Sequence, residues 1–223
     1  MLVLLLVTPP EGGTVQEYAA IMSSKPRILL LYAHPGHRHS RGNRRLLEAA
    51  RAVDNVQVHD LYESYPDFHI DVAHEQRLLE ESSLIVFQFP VQWYSMPALL
   101  KEWVDTVLEH GWAYGRGGDA LRSKDFWLVA TTGGTQSSYA PDGYHHRPFS
   151  DFLPPIEQTV LFCGMRWLPP LILHGARRVD DDMLEQHAAS YARMLASYPG
   201  WAEQLPAAPY PPEAADRQHC RES

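Results

Sequence analysis

Three short segments concentrate the residues that could bind a ligand. The first, HPGHRHSRGN at residues 34–43, carries His34, His37 and His39 and then Ser40, Arg41, Gly42 and Asn43, where a helix is expected to begin. A helix N-terminus offers unpaired backbone N–H groups at the positive end of its dipole, so Ser40 to Asn43 can hold a phosphate without a Walker-type lysine. The same residues would also suit a helix that merely uses Ser40 as its N-cap. No carboxylate or thiolate spacing accompanies the three histidines, and no metal site is expected from them. The second segment, FPVQWYSMP at 89–97, places Gln92, Trp93 and Tyr94 in an exposed turn. Its backbone amides suit the polar edge of a ring and Trp93 a wall beside it, unless Trp93 only packs on the helix that follows. The third, TTGGTQSSY at 131–139, has Thr131, Thr132, Gly133 and Gly134. A Gly-Gly pair lets backbone approach a flat ligand closely, although a plain turn uses it too.

The elements that must position these segments are legible in the apolar pattern. Continuous apolar runs alternate with stretches of helical period, as in parallel strands joined by crossover helices. Strands are expected at Arg27–Ala33, Val56–Leu61, Leu84–Phe89, Phe126–Thr132 and Leu168–Leu173. Helices are expected at Ser40–Val53, after a cap at Asp71 with Val72, Leu78 and Leu79 inward, and at Pro97–Glu109 with Leu100, Val104 and Leu108 inward. Two more are expected at Phe149–Phe162 and Asp181–Ala196. An open five-stranded parallel sheet binds ligands at the carboxyl ends of its strands. Each of the three segments follows a strand, and only this conjunction makes a flavin pocket the expectation. No GxGxxG follows the first strand, which separates the chain from dinucleotide-binding folds of that type.

Composition narrows the partners. With 223 residues, 45% of them hydrophobic, the chain can bury one substantial core. Its net charge of -8 argues against nucleic acid as the main partner, because neutralising phosphates takes clustered Lys and Arg. Cys163 and Cys220 are too far apart in the chain for a disulfide framework, and Cys163, after an apolar helix, reads as a buried small hydrophobe. The domain is placed at 26–200. Residues 1–25 form an N-terminal extension whose apolar run is too short for a signal peptide, with Met22 the expected translation start. The Pro- and Ala-rich end, 201–223, is expected to be a disordered tail.

YAHP, the helix start at 40–43, FPVQWYSMPALLKEWVD, HGWAYG, TTGG and FCGM together resemble the NAD(P)H dehydrogenase (quinone) family across roughly 26–198. LYESYPDFHID and HGWAYGRGG resemble in particular the ancillary oxidoreductase subunits of the glutathione-regulated Kef potassium-efflux system. The resemblance implies a flavodoxin-like three-layer α/β fold and an enzyme that passes two electrons from NADH or NADPH, through FMN (with FAD the alternative), to a quinone or related electrophile. It implies that His34 and Ser40 to Asn43 bind the phosphate side, Val91, Gln92, Trp93 and Tyr94 the isoalloxazine ring, and Thr131 to Gly134 its other edge. Tyr139 and His145 match the Tyr and His that assist hydride transfer, with His146 one residue out of register. Trp112 and Tyr114 would line the substrate pocket across a homodimer interface, although both could be core aromatics. The alternative role is a cytoplasmic regulatory subunit that reaches the inner membrane by docking on a potassium-efflux antiporter. A one-electron carrier fits less well, because the long loop to Pro148 suggests a substrate chamber.

Overall fold

A computed structural model describes residues 26–206. The expected N-terminal extension and most of the expected tail lie outside the described residues. Six strands form one parallel sheet: β1 (Ile28–Tyr32), β2 (Val56–Asp60), β3 (Leu84–Pro90), β4 (Asp125–Thr131), β5 (Arg166–Trp167) and β6 (Leu171–Leu173). Their order is β2-β1-β3-β4-β5, with β6 also pairing to β4. The fold is the flavodoxin-like α/β arrangement, and its chain direction switches between β1 and β3, where a crevice opens at the carboxyl ends.

Side chains alternate across the sheet and so build two cores. Ile28, Leu30 and Tyr32 pack with Leu46, Leu47 and Ala50 of α1 (Gly42–Arg51) and Ala188, Tyr191 and Leu195 of α6 (Asp181–Ala196). Leu29, Leu31 and Ala33 face the other layer. That layer holds a single turn, α2 (Leu61–Ser64), then α3 (Val72–Glu80), α4 (Ala98–Val107) and α5 (Pro154–Phe162). Each fully buried apolar side chain contributes about 1.5–3 kcal/mol relative to exposure, which makes the six buried residues at 28–33 the spine of the fold.

Several expectations need correction. The fifth strand is two short pieces, because Pro169 and Pro170 cannot donate to the ladder that Leu168–Leu173 would otherwise continue. The helix expected at Phe149–Phe162 is a short 3-10 turn, Phe149–Phe152, followed by α5, with Pro154 and Pro155 starting the new helix. In α4 the fully buried face is Leu99, Leu100, Trp103 and Val107, whereas Val104 and Leu108 are only half-buried. The domain also runs past residue 200: Trp201 packs on Trp127 with ring centroids 5.4 Å apart, and Ala202 is buried.

The largest surprise lies in α3, where the buried residues are Leu79 and the carboxylate of Glu75. Glu75 accepts hydrogen bonds from His59 Nε2 at 2.7 Å, Trp103 Nε1 at 2.7 Å and the Tyr65 hydroxyl, joining β2, α3, α4 and the 62–71 segment. Burial alone pushes the carboxyl pKa up, but the hydrogen bonds and the His59 charge outweigh it and hold it below the ordinary 4.5. Removing this acceptor strands three donors. Glu75→Ala is therefore expected to lower stability by about 3 kcal/mol in urea unfolding. Because the folded pKa is depressed, the wild-type contribution is fully present above about pH 4.5 and is lost as pH falls through the folded value; a Glu75→Ala penalty that stays constant to pH 3 would contradict this.

Candidate functional site

The three ligand-capable segments meet. His34, Ser40, Arg41, Gly42 and Asn43, then Val91 and Gln92, then Thr131, Thr132 and Gly133 border one cleft of about 600 Å³ at the carboxyl ends of β1, β3 and β4. That size is within the roughly 300–1,000 Å³ of small-molecule sites.

The first segment is arranged for an anion. Ser40 ends a 3-10 turn at His37–His39, its N–H bonded to the His37 carbonyl, so it is not the cap of α1. Arg41 occupies the cap position and gives α1 no side-chain cap. The first N–H groups of α1 therefore remain for a ligand. His34 Nδ1 accepts the Gly36 N–H at 3.0 Å, which assigns the ring proton to Nε2. Burial, with help from His37, holds the His34 pKa below its ordinary 6.5, and the neutral ring is a hydrogen-bond donor at neutral pH. The Arg41 guanidinium is occupied elsewhere, by the Val179 carbonyl and Asp181.

Beneath the cleft runs a buried polar chain. The Tyr191 hydroxyl donates to Gln88 Oε1 at 3.2 Å, Gln88 Nε2 to the Asn43 carbonyl at 3.0 Å, and Asn43 Nδ2 to Thr131 Oγ1 at 2.7 Å. It fastens α1 to β3 and β4 from below. Asn43 is 1% exposed, and its Oδ1 has no partner in the protein. A lone buried acceptor calls for a donor, which the ribityl hydroxyls of a flavin would supply. Gly133 leaves open space where a side chain would stand, so a planar ring could approach its backbone. The residues present thus fit a flavin.

In the second segment Gln92 and Ser95 exchange backbone hydrogen bonds at 3.0 Å around a two-residue turn. Both turn residues have positive φ, Trp93 at 47° and Tyr94 at 64°, an arrangement usual for Asn-Gly and strained for aromatics. The turn projects Trp93 almost wholly into solvent, 93% exposed and outside the cleft lining, and turns Tyr94 toward His145. The Tyr94 hydroxyl lies 3.3 Å from His145 Nδ1.

The third segment returns on itself. His145 N–H bonds to the Ser138 carbonyl at 2.9 Å, and Gly143 is needed because a Cβ there would lie 2.3 Å from the Ser137 carbonyl oxygen. The result stacks His145 on Tyr139 with centroids 4.3 Å apart. His146 is exposed at the next position, in a positive-φ conformation. Burial raises the Tyr139 pKa above its ordinary 10, with Thr132 opposing, so its hydroxyl stays protonated.

Two residues that composition does not reveal complete the surroundings. His174 lies under Tyr139 at 5.5 Å, with Nδ1 3.0 Å from Thr132 Oγ1; Thr132 donates to the Gly134 carbonyl, so His174 is the donor to Thr132. Burial lowers the His174 pKa. Arg177 borders the cleft. Both follow β6, and the strand-end rule that singles out the other segments applies to them as well. Trp112 and Tyr114 are not brought to the cleft. Trp112 Nε1 donates to Glu80 at 2.9 Å, and Tyr114 lies beside Phe162 in a groove between α4 and α5. Cys163 is buried, its thiol pushed up to about 12. Among the described residues there is no cluster of three His, Cys, Asp or Glu able to hold a metal, and no helix long and apolar enough to cross a membrane.

A parallel sheet in this order, with three ligand-capable segments around its switch point, defines a flavodoxin-type α/β protein. The chain belongs to the flavodoxin-like fold family, which it matches over residues 26–195. It is 51% identical over 176 residues to the glutathione-regulated potassium-efflux system ancillary protein KefG of Pectobacterium carotovorum subsp. carotovorum, covering 79% of this chain and 96% of that one. Among solved structures it resembles the general stress protein 14 of Treponema denticola in complex with FMN, at a TM-score of 0.71 and 36% identity over 76% of this chain and 98% of that one. It likewise resembles an NADPH-quinone reductase of P. pentosaceus, at 0.70 and 28% over 77% and 98%.

The polar chain predicts the effects of breaking its links. Asn43→Ala strands the Thr131 hydroxyl and removes one link, which should cost about 1–3 kcal/mol in urea unfolding. Gln88→Ala in the same background should add nearly its full single effect, because Gln88 Nε2 donates to the Asn43 main-chain carbonyl, which Asn43→Ala keeps; strong non-additivity would show the two links to be coupled.

Proposed function

We propose that this chain is a flavin-dependent NAD(P)H:quinone-type oxidoreductase that holds FMN in the cleft at the strand ends. The observation that carries the reading is the convergence of the three strand-end segments on one cleft, with His145 stacked on Tyr139 beside Gly134 and Tyr94 against His145. FMN, when bound, supplies the hydride chemistry, taking two electrons from NADH or NADPH and giving them to a quinone or related electrophile. The protein's share is binding, orientation and electrostatics.

The free N–H groups of α1 and the His34 Nε2–H would hold the phosphate side, with Ser40 to Asn43 around it. Backbone at Val91–Gln92 and Thr131–Gly134 would flank the ring, and Trp93 and Tyr94 its outer edge. Tyr139, protonated, and His145, held against it, would donate hydrogen bonds where negative charge develops, which is electrostatic stabilisation rather than covalent catalysis. The FMN complex of the Treponema relative favours FMN over FAD. Trp112 and Tyr114 lie away from this chain's own cleft and would contribute to substrate binding from a second copy in a homodimer.

The identity to KefG supports a second reading in the same molecule. The chain would act in the cytoplasm as a regulatory subunit, reaching the inner membrane by docking on a potassium-efflux antiporter.

FMN-loaded Tyr139→Phe and His145→Gln are expected to slow flavin reduction by NAD(P)H about a hundredfold while FMN affinity is kept. Unchanged stopped-flow rates in both variants would remove their catalytic assignment. Antiporter activation in vesicles by the same slow variants would assign regulation to the bound state, and its loss would assign it to turnover.

A further inference from the structure

The segment after β6 presses against the anion-binding end of the cleft. A Cβ on Gly42 would lie 3.2 Å from Ala176 Cβ and 3.3 Å from Leu173 Cδ2, so the backbone beside Arg177 packs directly on the first turn of α1. Two hydrogen bonds tie the same segment to the third loop, from Gly175 N–H to the Gly134 carbonyl at 2.7 Å and from Ala176 N–H to the Thr132 carbonyl at 2.9 Å. The Arg41 guanidinium completes the fastening by gripping Val179 and Asp181. Arg177 is thereby delivered to the cleft edge by a well-anchored backbone, while its own side chain is exposed and has no ion pair among the described residues.

The charge around it is one-sided. No Asp or Glu borders the cleft, although the chain carries 27 acidic residues against 19 Lys and Arg. With Arg41 committed to Asp181, Arg177 is the uncommitted guanidinium at the cleft. The need for it follows from magnitudes. A helix N-terminus amounts to about half a positive charge, whereas a phosphate monoester carries about -1.5 to -2 at neutral pH. The α1 N-terminus alone leaves most of that charge uncompensated. A guanidinium matches phosphate oxygens with two parallel N–H donors and supplies a full charge. The buried, unpartnered Asn43 Oδ1 beside the α1 N-terminus independently marks this end as built for a ligand bearing hydroxyl donors.

Resting on the flavin reading above, the geometry points to Arg177 as a phosphate-binding residue: with the α1 N–H groups it takes the terminal phosphate monoester of FMN. The cofactor is then held at opposite sides of its phosphate by two strand-end segments, those after β1 and β6. Arg177 is a binding residue in this account, with no part in the hydride chemistry.

The test is titration of deflavinated protein with FMN and with riboflavin, which lacks the phosphate, followed by flavin fluorescence. Arg177→Gln should weaken FMN binding about ten- to a hundredfold, leave riboflavin affinity within about twofold, and flatten the salt dependence of FMN binding. Arg177→Lys should recover part of the FMN affinity, since it keeps the charge and loses the paired donors. Unchanged FMN affinity in Arg177→Gln, or an equal loss for FMN and riboflavin, overturns the assignment. Wild-type protein that binds neither flavin overturns the flavin reading itself, a result distinct from wild-type binding that Arg177→Gln leaves intact.

Discussion

The cleft depends on a chain of buried hydrogen bonds from Tyr191 through Gln88 and Asn43 to Thr131. These four side chains lie where α6, β3, α1 and β4 come together, at a depth where an unpaired polar group costs more than a hydrogen bond returns. The chain therefore tolerates only one relative placement of α1 and the sheet. That placement aims the N-terminus of α1 at the ends of β3 and β4. It also leaves Asn43, a residue of the cleft lining, with a buried acceptor that has no protein partner, so the polar core and the cleft wall share a residue.

Around this fixed centre the loops are held by different means. The 34–43 segment is set by the helix it begins, and the 139–145 loop by its own backbone bonds and the stack of His145 on Tyr139. The turn at Trp93 and Tyr94 is held against backbone strain, costing about 1–3 kcal/mol per residue, and strain of this kind persists where surrounding structure over-determines it. On the flavin reading, stable core and strained turn divide the work: the first would position the cofactor, the second presents aromatic surface to solvent.

Much of this is legible in the sequence for a physical reason. Strands buried on both faces write continuous apolar runs, and the carboxyl-end rule then selects the segments that follow them, which is why three loops far apart in the chain can be assigned to one site from the sequence alone. Where the sequence misleads, partners are distant or local chemistry intervenes. Glu75 sits on the apolar face of α3, and only the meeting of His59, Tyr65 and Trp103, which are 16, 10 and 28 residues away, makes a carboxylate tolerable there. Pro169 and Pro170 break a run that the apolar pattern joins. His174 and Arg177 stand outside any glycine-rich segment and carry no local signal of their own, although the last strand end obeys the same rule as the others. For Trp112 and Tyr114, periodicity carries no information about a second copy, and within one chain they stand apart from the cleft.

The central claim is that one cleft, bounded by the segments after β1, β3 and β4, is a flavin site. A crystal structure of the FMN-loaded protein tests it most directly. The account predicts the isoalloxazine ring between the backbone of Val91–Gln92 and that of Thr132–Gly133, with the phosphate at the first turn of α1. Clear density for FMN elsewhere on the molecule, or a ring reversed so that the phosphate lies at the Tyr139 side, would contradict it.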